Sequence, residues 1–172
     1  MIVEILIHGA AAPQGSKTPW GSEANPRTRP WRGAVAKAGA EAMHERGLLA
    51  SALSMEVVFV HARPKSHFGT GKNAQRLKPS APLYVTSPPD VDKLVRAISD
   101  ALQGVVYRND SQLAVVIARK IYGRSAFCQV LIRELPQPTP VDLPTRRERL
   151  LEACGGDEEQ AHHVEMVTGG TT

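Results

Sequence analysis

Aspartate is absent from the first 89 residues of this chain and then appears four times in 21, as Asp90, Asp92, Asp100 and Asp110. These carboxylates lie in the stretch SPPDVDKLVRAISDALQGVVYRND, inside a chain that is otherwise basic. Hard divalent cations such as Mg²⁺ take carboxylate oxygens as ligands and keep several waters. Set beside a polyanion, such a cation generates hydroxide, polarises a phosphoryl group and stabilises a leaving oxygen. Nearby Arg or Lys neutralises the phosphate further. The chemistry suggested is metal-dependent attack on a nucleic acid. Each piece also has a plainer reading. Asp90 alone is a helix cap, Asp92 and Asp100 a solvated helix face, and Asn109-Asp110 a polar turn.

Positioning these residues requires a helix. Pro88 and Pro89 disfavour helix before Asp90, which can itself cap the segment that follows. A helix is predicted over Asp90–Gln103, ended by Gly104. At about 100° per residue, Asp92, Arg96 and Asp100 share one side, with Lys93 at its margin. Leu94, Val95, Ile98, Ala101 and Leu102 fall on the other side, toward a sheet. Asp110 arrives from the turn entering the next strand. If that turn folds back on the helix start, Asp90, Asp92 and Asp110 converge.

The remaining elements follow from periodicity and turn residues. Strands are expected at Ile2–His8, Met55–Ala62, Val105–Tyr107, Leu113–Tyr122 and Ala126–Leu135. A second helix is expected at Trp31–Leu49, with Val35, Ala38, Ala42 and Leu49 inward, weakened by Gly33 and Gly39. The architecture implied is α+β, a mixed sheet of about five strands packed with two main helices. Residues 9–30, with PQGSK at 13–17, read as a loop. After Leu135 comes a proline-rich linker, PQPTPVDLP, then a capping-box pattern from Thr145 to Glu148 and a short helix ending near Gly155. The division is a domain over 1–135 and an acidic tail over 136–172.

Charge is unevenly spread. Residues 1–133 hold 18 Lys and Arg against 9 Asp and Glu, a net +9; residues 134–172 hold 3 against 8, a net −5. A basic body is the footprint of a polyphosphate partner. Arg63–Pro89 reads as a long basic loop. Its Lys65, Lys72, Arg76 and Lys78 are the chosen DNA-backbone contacts, joined by Lys93 and, more weakly, Lys17; a solvated mobile loop is the alternative. His67 and Phe68 either stack on bases or anchor that loop. His162-His163 with Cys154 does not have zinc-ligand spacing. Ser16 and Ser111 have no matched base. Cys128, in an apolar run, reads as a reduced core thiol. No apolar run reaches the ~20 residues needed to span a bilayer, and no signal peptide opens the chain, so a cytoplasmic protein without a membrane partner is expected.

The string PDVDKLVRAISDALQGVVYRNDSQ, from Pro89 to Gln112, resembles the signature of RusA-type Holliday-junction resolvases. That family's pattern is P-D-x-D-N/K, a basic residue one helical turn on, D-A/G-L, and a D-D-x-Q turn. The match continues through VVIARKIYG and covers roughly residues 1–133; PQGSK and RPKSHFGTGKNAQRLKPSAP also resemble phage and actinobacterial members. The resemblance implies a RusA-like, homodimeric, Mg²⁺-dependent endonuclease, with Mn²⁺ as a substitute ion, that makes paired nicks in branched DNA, the four-way junction. It places the metal-binding carboxylates on Asp90, Asp92 and Asp110, and the basic active-site residue, typically Lys, on Arg96. Arg is permanently charged, so a phosphate clamp is implied there rather than a proton donor. Lys93 replaces a common Asn, and Asn109 replaces the first acid of the usual pair. Two alternatives stay open: another branched-DNA or flap metal nuclease, and a non-catalytic DNA-binding protein.

Overall fold

A computed structural model describes residues 1–15, 25–44, 46–136, 145–160 and 162. Lys17, Ser16, most of the proline-rich linker, His163 and the last residues lie outside the described residues. The chain divides into two compact units, Met1–Leu135 and Pro136–Thr172.

The first unit is α+β. Strand β1 (Ile2–His8) pairs antiparallel with β4 (Phe127–Glu134), β4 antiparallel with β2 (Leu53–Ala62), and β2 parallel with β3 (Leu113–Gly123). The sheet order is therefore β1-β4-β2-β3, with four strands and not five. The segment expected as a fifth strand, Val105–Tyr107, is a buried turn. Gly104 takes φ +73°, Gly104 N donates to Tyr107 O at 2.7 Å, and Val106 N donates to Leu102 O at 2.9 Å. Val106 and Tyr107 are fully buried there. The apolar run reports burial, and a run that short does not distinguish a strand from a buried turn.

Helices α1 (Thr28–Met43) and α2 (Val91–Leu102) pack beside each other, α1 also reaching β1 and α2 reaching β3. Alternation along the strands puts Val3, Ile5, Ile7, Met55, Val57, Phe59, Val130 and Ile132 into one core with the helices. Helix α1 starts earlier and stops sooner than its periodicity predicts. Thr28 Oγ1 donates to Pro13 O at 2.8 Å, tying its start to the preceding segment. Its buried side is Trp31, Val35, Gly39 and Met43, while Leu49 lies beyond it and bridges to Tyr107. Gly39, read from sequence as a weakness, is a close-approach site. A Cβ there would lie 2.7 Å from Leu102 Cδ2 in α2. The small residue lets the two helices approach, which Ala would obstruct.

The second unit carries α3 (Arg146–Ala153), opened by the expected capping box, in which Thr145 and Glu148 bond each other's backbone N–H.

Candidate active site

Helix α2 buries Leu94, Ala97, Ile98, Ala101 and Leu102. Burying a Leu or Ile side chain completely contributes about 1.5–3 kcal/mol, enough to fix the helix's rotation against the sheet. That rotation leaves Asp92, Lys93 and Arg96 exposed and Asp100 half-buried. The predicted polar side is formed.

Asp90 occupies the cap position in extended backbone, but its carboxylate does not cap. It instead accepts from Lys93 Nζ at 2.6 Å. That hydrogen bond and the ammonium's field hold the Asp90 carboxyl below its ordinary range, with Lys120 adding to the effect. Lys93 is raised reciprocally, by Asp90 first and also by Asp92. Removing the cation should therefore return Asp90 upward. In Lys93→Ala, the Asp90 carboxyl followed by NMR is expected to titrate at higher pH than in the wild type. An unchanged titration would show that the ion pair does not persist in solution.

Lys120 was not singled out from sequence, and it organises the approach to α2. From β3 its ammonium donates to Ser87 O and Pro89 O, each at 2.8 Å. The chain entering Asp90 is thereby fixed to the sheet. Gln14, within PQGSK, is a second such residue. Its backbone N donates to Lys93 O at 2.9 Å and its Nε2 to Asp100 at 2.5 Å. Neither role leaves a motif, because each depends on a partner more than 25 residues away.

Asp110 opens a single 3-10 turn, Asp110–Gln112. Among the described residues no three His, Cys, Asp or Glu side chains come together to hold a metal. The Asp110 turn is anchored by Gln112. Gln112 Oε1 accepts from Arg108 N and Asn109 N, while its Nε2 donates to Leu49 O and Ser51 O. Asp110 shares the surroundings of Tyr107 with Asp100. Burial first, then these two carboxylates, push the Tyr107 phenol up, and its hydroxyl donates to Ser99 O at 2.9 Å. This is the late end of α2, whereas Asp90 and Asp92 mark its start. Four hydrogen bonds on one side chain make Gln112→Ala expensive. A loss of about 2–4 kcal/mol in denaturant unfolding is expected; a loss under ~0.5 kcal/mol would show that water replaces them.

The donors still suit a hard cation in part. Mg²⁺ is ordinarily held by one or two carboxylates, with waters and substrate phosphates completing its shell. Asp90 and Asp92 are exposed oxygen donors of that kind. A closed cage built only from this chain's side chains is absent among the described residues.

The basic stretch after β2 is folded. Phe68 bridges to Leu77, Gly69 N donates to Arg76 O and Lys78 N to His67 O, each at 2.9 Å. His67 packs edge-on against Tyr122 with ring centroids 4.7 Å apart, and the Arg63 guanidinium lies over the same ring. His67 thus anchors the segment. Lys65, Lys72, Arg76 and Lys78 are exposed, but the Lys78 ammonium donates to Ser66 O at 2.8 Å. Lys78 braces the arch that displays the others. A cleft of about 440 Å³ beside Gly69, Asn73, Arg76 and Lys78 opens there.

Comparison with known proteins agrees with this layout. Residues 14–133 match the family model described as Endodeoxyribonuclease RusA. The uncharacterized protein YqaN of Bacillus subtilis (strain 168) is 31% identical over 88 residues, covering 51% of this chain and 61% of that protein. The chain thus spans less than two thirds of that relative's length. Since the family model takes in α1, α2, all of β2 and β3, the basic arch and nearly all of β4, this chain belongs to the RusA endodeoxyribonuclease family.

Proposed function

We propose that the protein is a Mg²⁺-dependent endonuclease that resolves four-way DNA junctions by paired nicking. The observation that carries this reading is the exposed Asp90–Asp92 pair at the start of α2, with Arg96 on the same side, in a member of this family. Asp90 and Asp92, with Asp110, are the proposed ligands, and Mn²⁺ the substitute ion. Such an ion, when bound, supplies a water of lowered pKa and charge for the leaving oxygen. Arg96 clamps the scissile phosphate. Lys65, Lys72 and Arg76 hold the backbone, with Lys17, Lys78 and Lys93 as further candidates; such contacts position without reading sequence. The chemistry is assigned to residues 1–135, leaving 136–172 outside it, and to the cytoplasm; no helix among the described residues is long and apolar enough to cross a membrane.

A homodimer fits a substrate with two scissile strands related by pseudo-two-fold symmetry. The first half of the β3 edge strand supports it, because Val115, Val116 and Ile117 are exposed there, ahead of the Lys120–Tyr122 stretch that pairs with Leu83–Val85.

The ion pair between Lys93 and Asp90 favours a second reading, a DNA-binding protein that does not cut. One experiment separates them. The purified chain is incubated with a synthetic four-way junction, a flap and a linear duplex, with and without Mg²⁺. Paired nicks in the junction alone, only with Mg²⁺, are expected. Binding without nicking supports the second reading; cutting confined to the flap points to a different branched-DNA nuclease.

A further inference from the structure

The chain has three tyrosines, and two have structural work. Tyr107 is buried and hydrogen-bonded to Ser99 O. Tyr122 holds the Arg63 guanidinium and the His67 ring. Tyr84 has neither kind of partner among the described residues and is 60% exposed, beside Leu83 at 54%. A large ring left in water is unremarkable on a mobile loop. Here the backbone is fixed. Tyr122 N donates to Leu83 O at 2.9 Å, Val85 N donates to Lys120 O at 3.1 Å, and Tyr84 itself bridges to Ile121. Val85 is buried at 6% exposure. Successive side chains of an extended segment point to opposite sides, so the inward Val85 turns Tyr84 outward.

The surroundings select the ligand. Between Arg63 and Pro82 the chain carries Arg63, Lys65, Lys72, Arg76 and Lys78 and no acid. On the other side the chain runs through Ser87 and Pro89, both held by Lys120, to Asp90. A rigid aromatic face between phosphate-binding cations and candidate metal ligands matches one chemical group, a nucleobase without a stacking neighbour. Base–aromatic stacking tolerates any sequence because every base has a π-face. An intact duplex presents no such face, whereas a branch point does.

We propose that Tyr84 is a stacking platform for an unpaired base of branched DNA. The proposal rests on the junction reading above and adds the residue that tells a branch from a duplex.

The test uses the full chain without divalent cation, so that nothing is cut. The probes are a four-way junction with 2-aminopurine at the branch and a linear duplex of equal length. Tyr84→Ala is expected to bind the junction about 5- to 150-fold more weakly, the range for loss of one stacked base, with duplex binding unchanged. Tyr84→Phe should bind like the wild type and Tyr84→Leu should not, since only the former keeps a ring. The 2-aminopurine fluorescence change produced by the wild type should vanish in Tyr84→Ala. Undiminished junction binding by Tyr84→Ala, equal losses on junction and duplex, or a change in sedimenting mass each overturn the assignment. The last outcome would mean that a second copy covers the ring. A wild-type chain that binds junction and duplex alike overturns the junction reading itself, and this proposal with it.

Discussion

Asp92→Asn is expected to abolish junction cleavage while leaving junction binding intact or tighter. Asp92 sits exposed in the first turn of α2, two residues from Asp90. Asn preserves the shape but removes the charge that a hard cation requires. Loss of an outer-shell partner costs about 10–100-fold in metal affinity or activity, and a direct ligand should cost more. The same substitution takes one negative charge away from the approaching phosphate, so affinity should not fall. Stability should change little: a carboxylate near a helix N-terminus contributes about 0.3–1 kcal/mol. Nicking rate, gel shift and unfolding, measured on the same preparation, separate these effects. Wild-type nicking by the variant would remove Asp92 from the metal site.

Changing Lys65, Lys72 and Arg76 together to Ala should remove affinity from every DNA sequence alike. All three are exposed on a segment without acid. Each lost phosphate contact flattens the slope of log affinity against log salt by about 0.9, so three contacts flatten it by about 2.7. Lys78 is left in place because its ammonium braces the arch through Ser66 O, and removing it would confuse affinity with folding. A slope equal to the wild type's would show that the arch does not touch the backbone.

Sequence reading succeeded where the physics is local. The helix from Asp90 announced itself through two prolines, a 3.6-residue apolar period and a glycine in the left-handed region at 104. Short apolar, β-branched runs bounded by turn residues marked the four strands, and Thr145–Glu148 marked α3. It failed where the deciding partner is distant. Val105–Tyr107 is apolar because the core covers it, and it turns because Leu102 O accepts from Val105 N and Val106 N while Gly104 N donates to Tyr107 O. The basic stretch looked like an open loop because nothing in its own residues shows that His67 meets Tyr122 from β3. Within the candidate site, Asp92, Arg96 and Asp100 were legible as one helix side. The whereabouts of Asp110 were not, since Gln112 fixes that turn to Leu49 and Ser51, some 60 residues upstream.

The pairing of β1 has a consequence for the order in which the protein can be made. Ile2–His8 is the first strand to be synthesised, and its neighbour in the sheet is Phe127–Glu134, in register from Ile2 with Arg133 to His8 with Phe127. The amino terminus itself is held by Glu134 at 2.8 Å. Until that last strand has been translated, an apolar strand, IVEILIH, has no edge to join and is open to pairing with other chains. β2 and β3 can meet earlier, but β4 lies between β2 and β1 and must arrive before the sheet is continuous. A ribosome stalled before Phe127 would therefore display β1 unpaired, and a pulse of synthesis should show protease resistance appearing late and all at once.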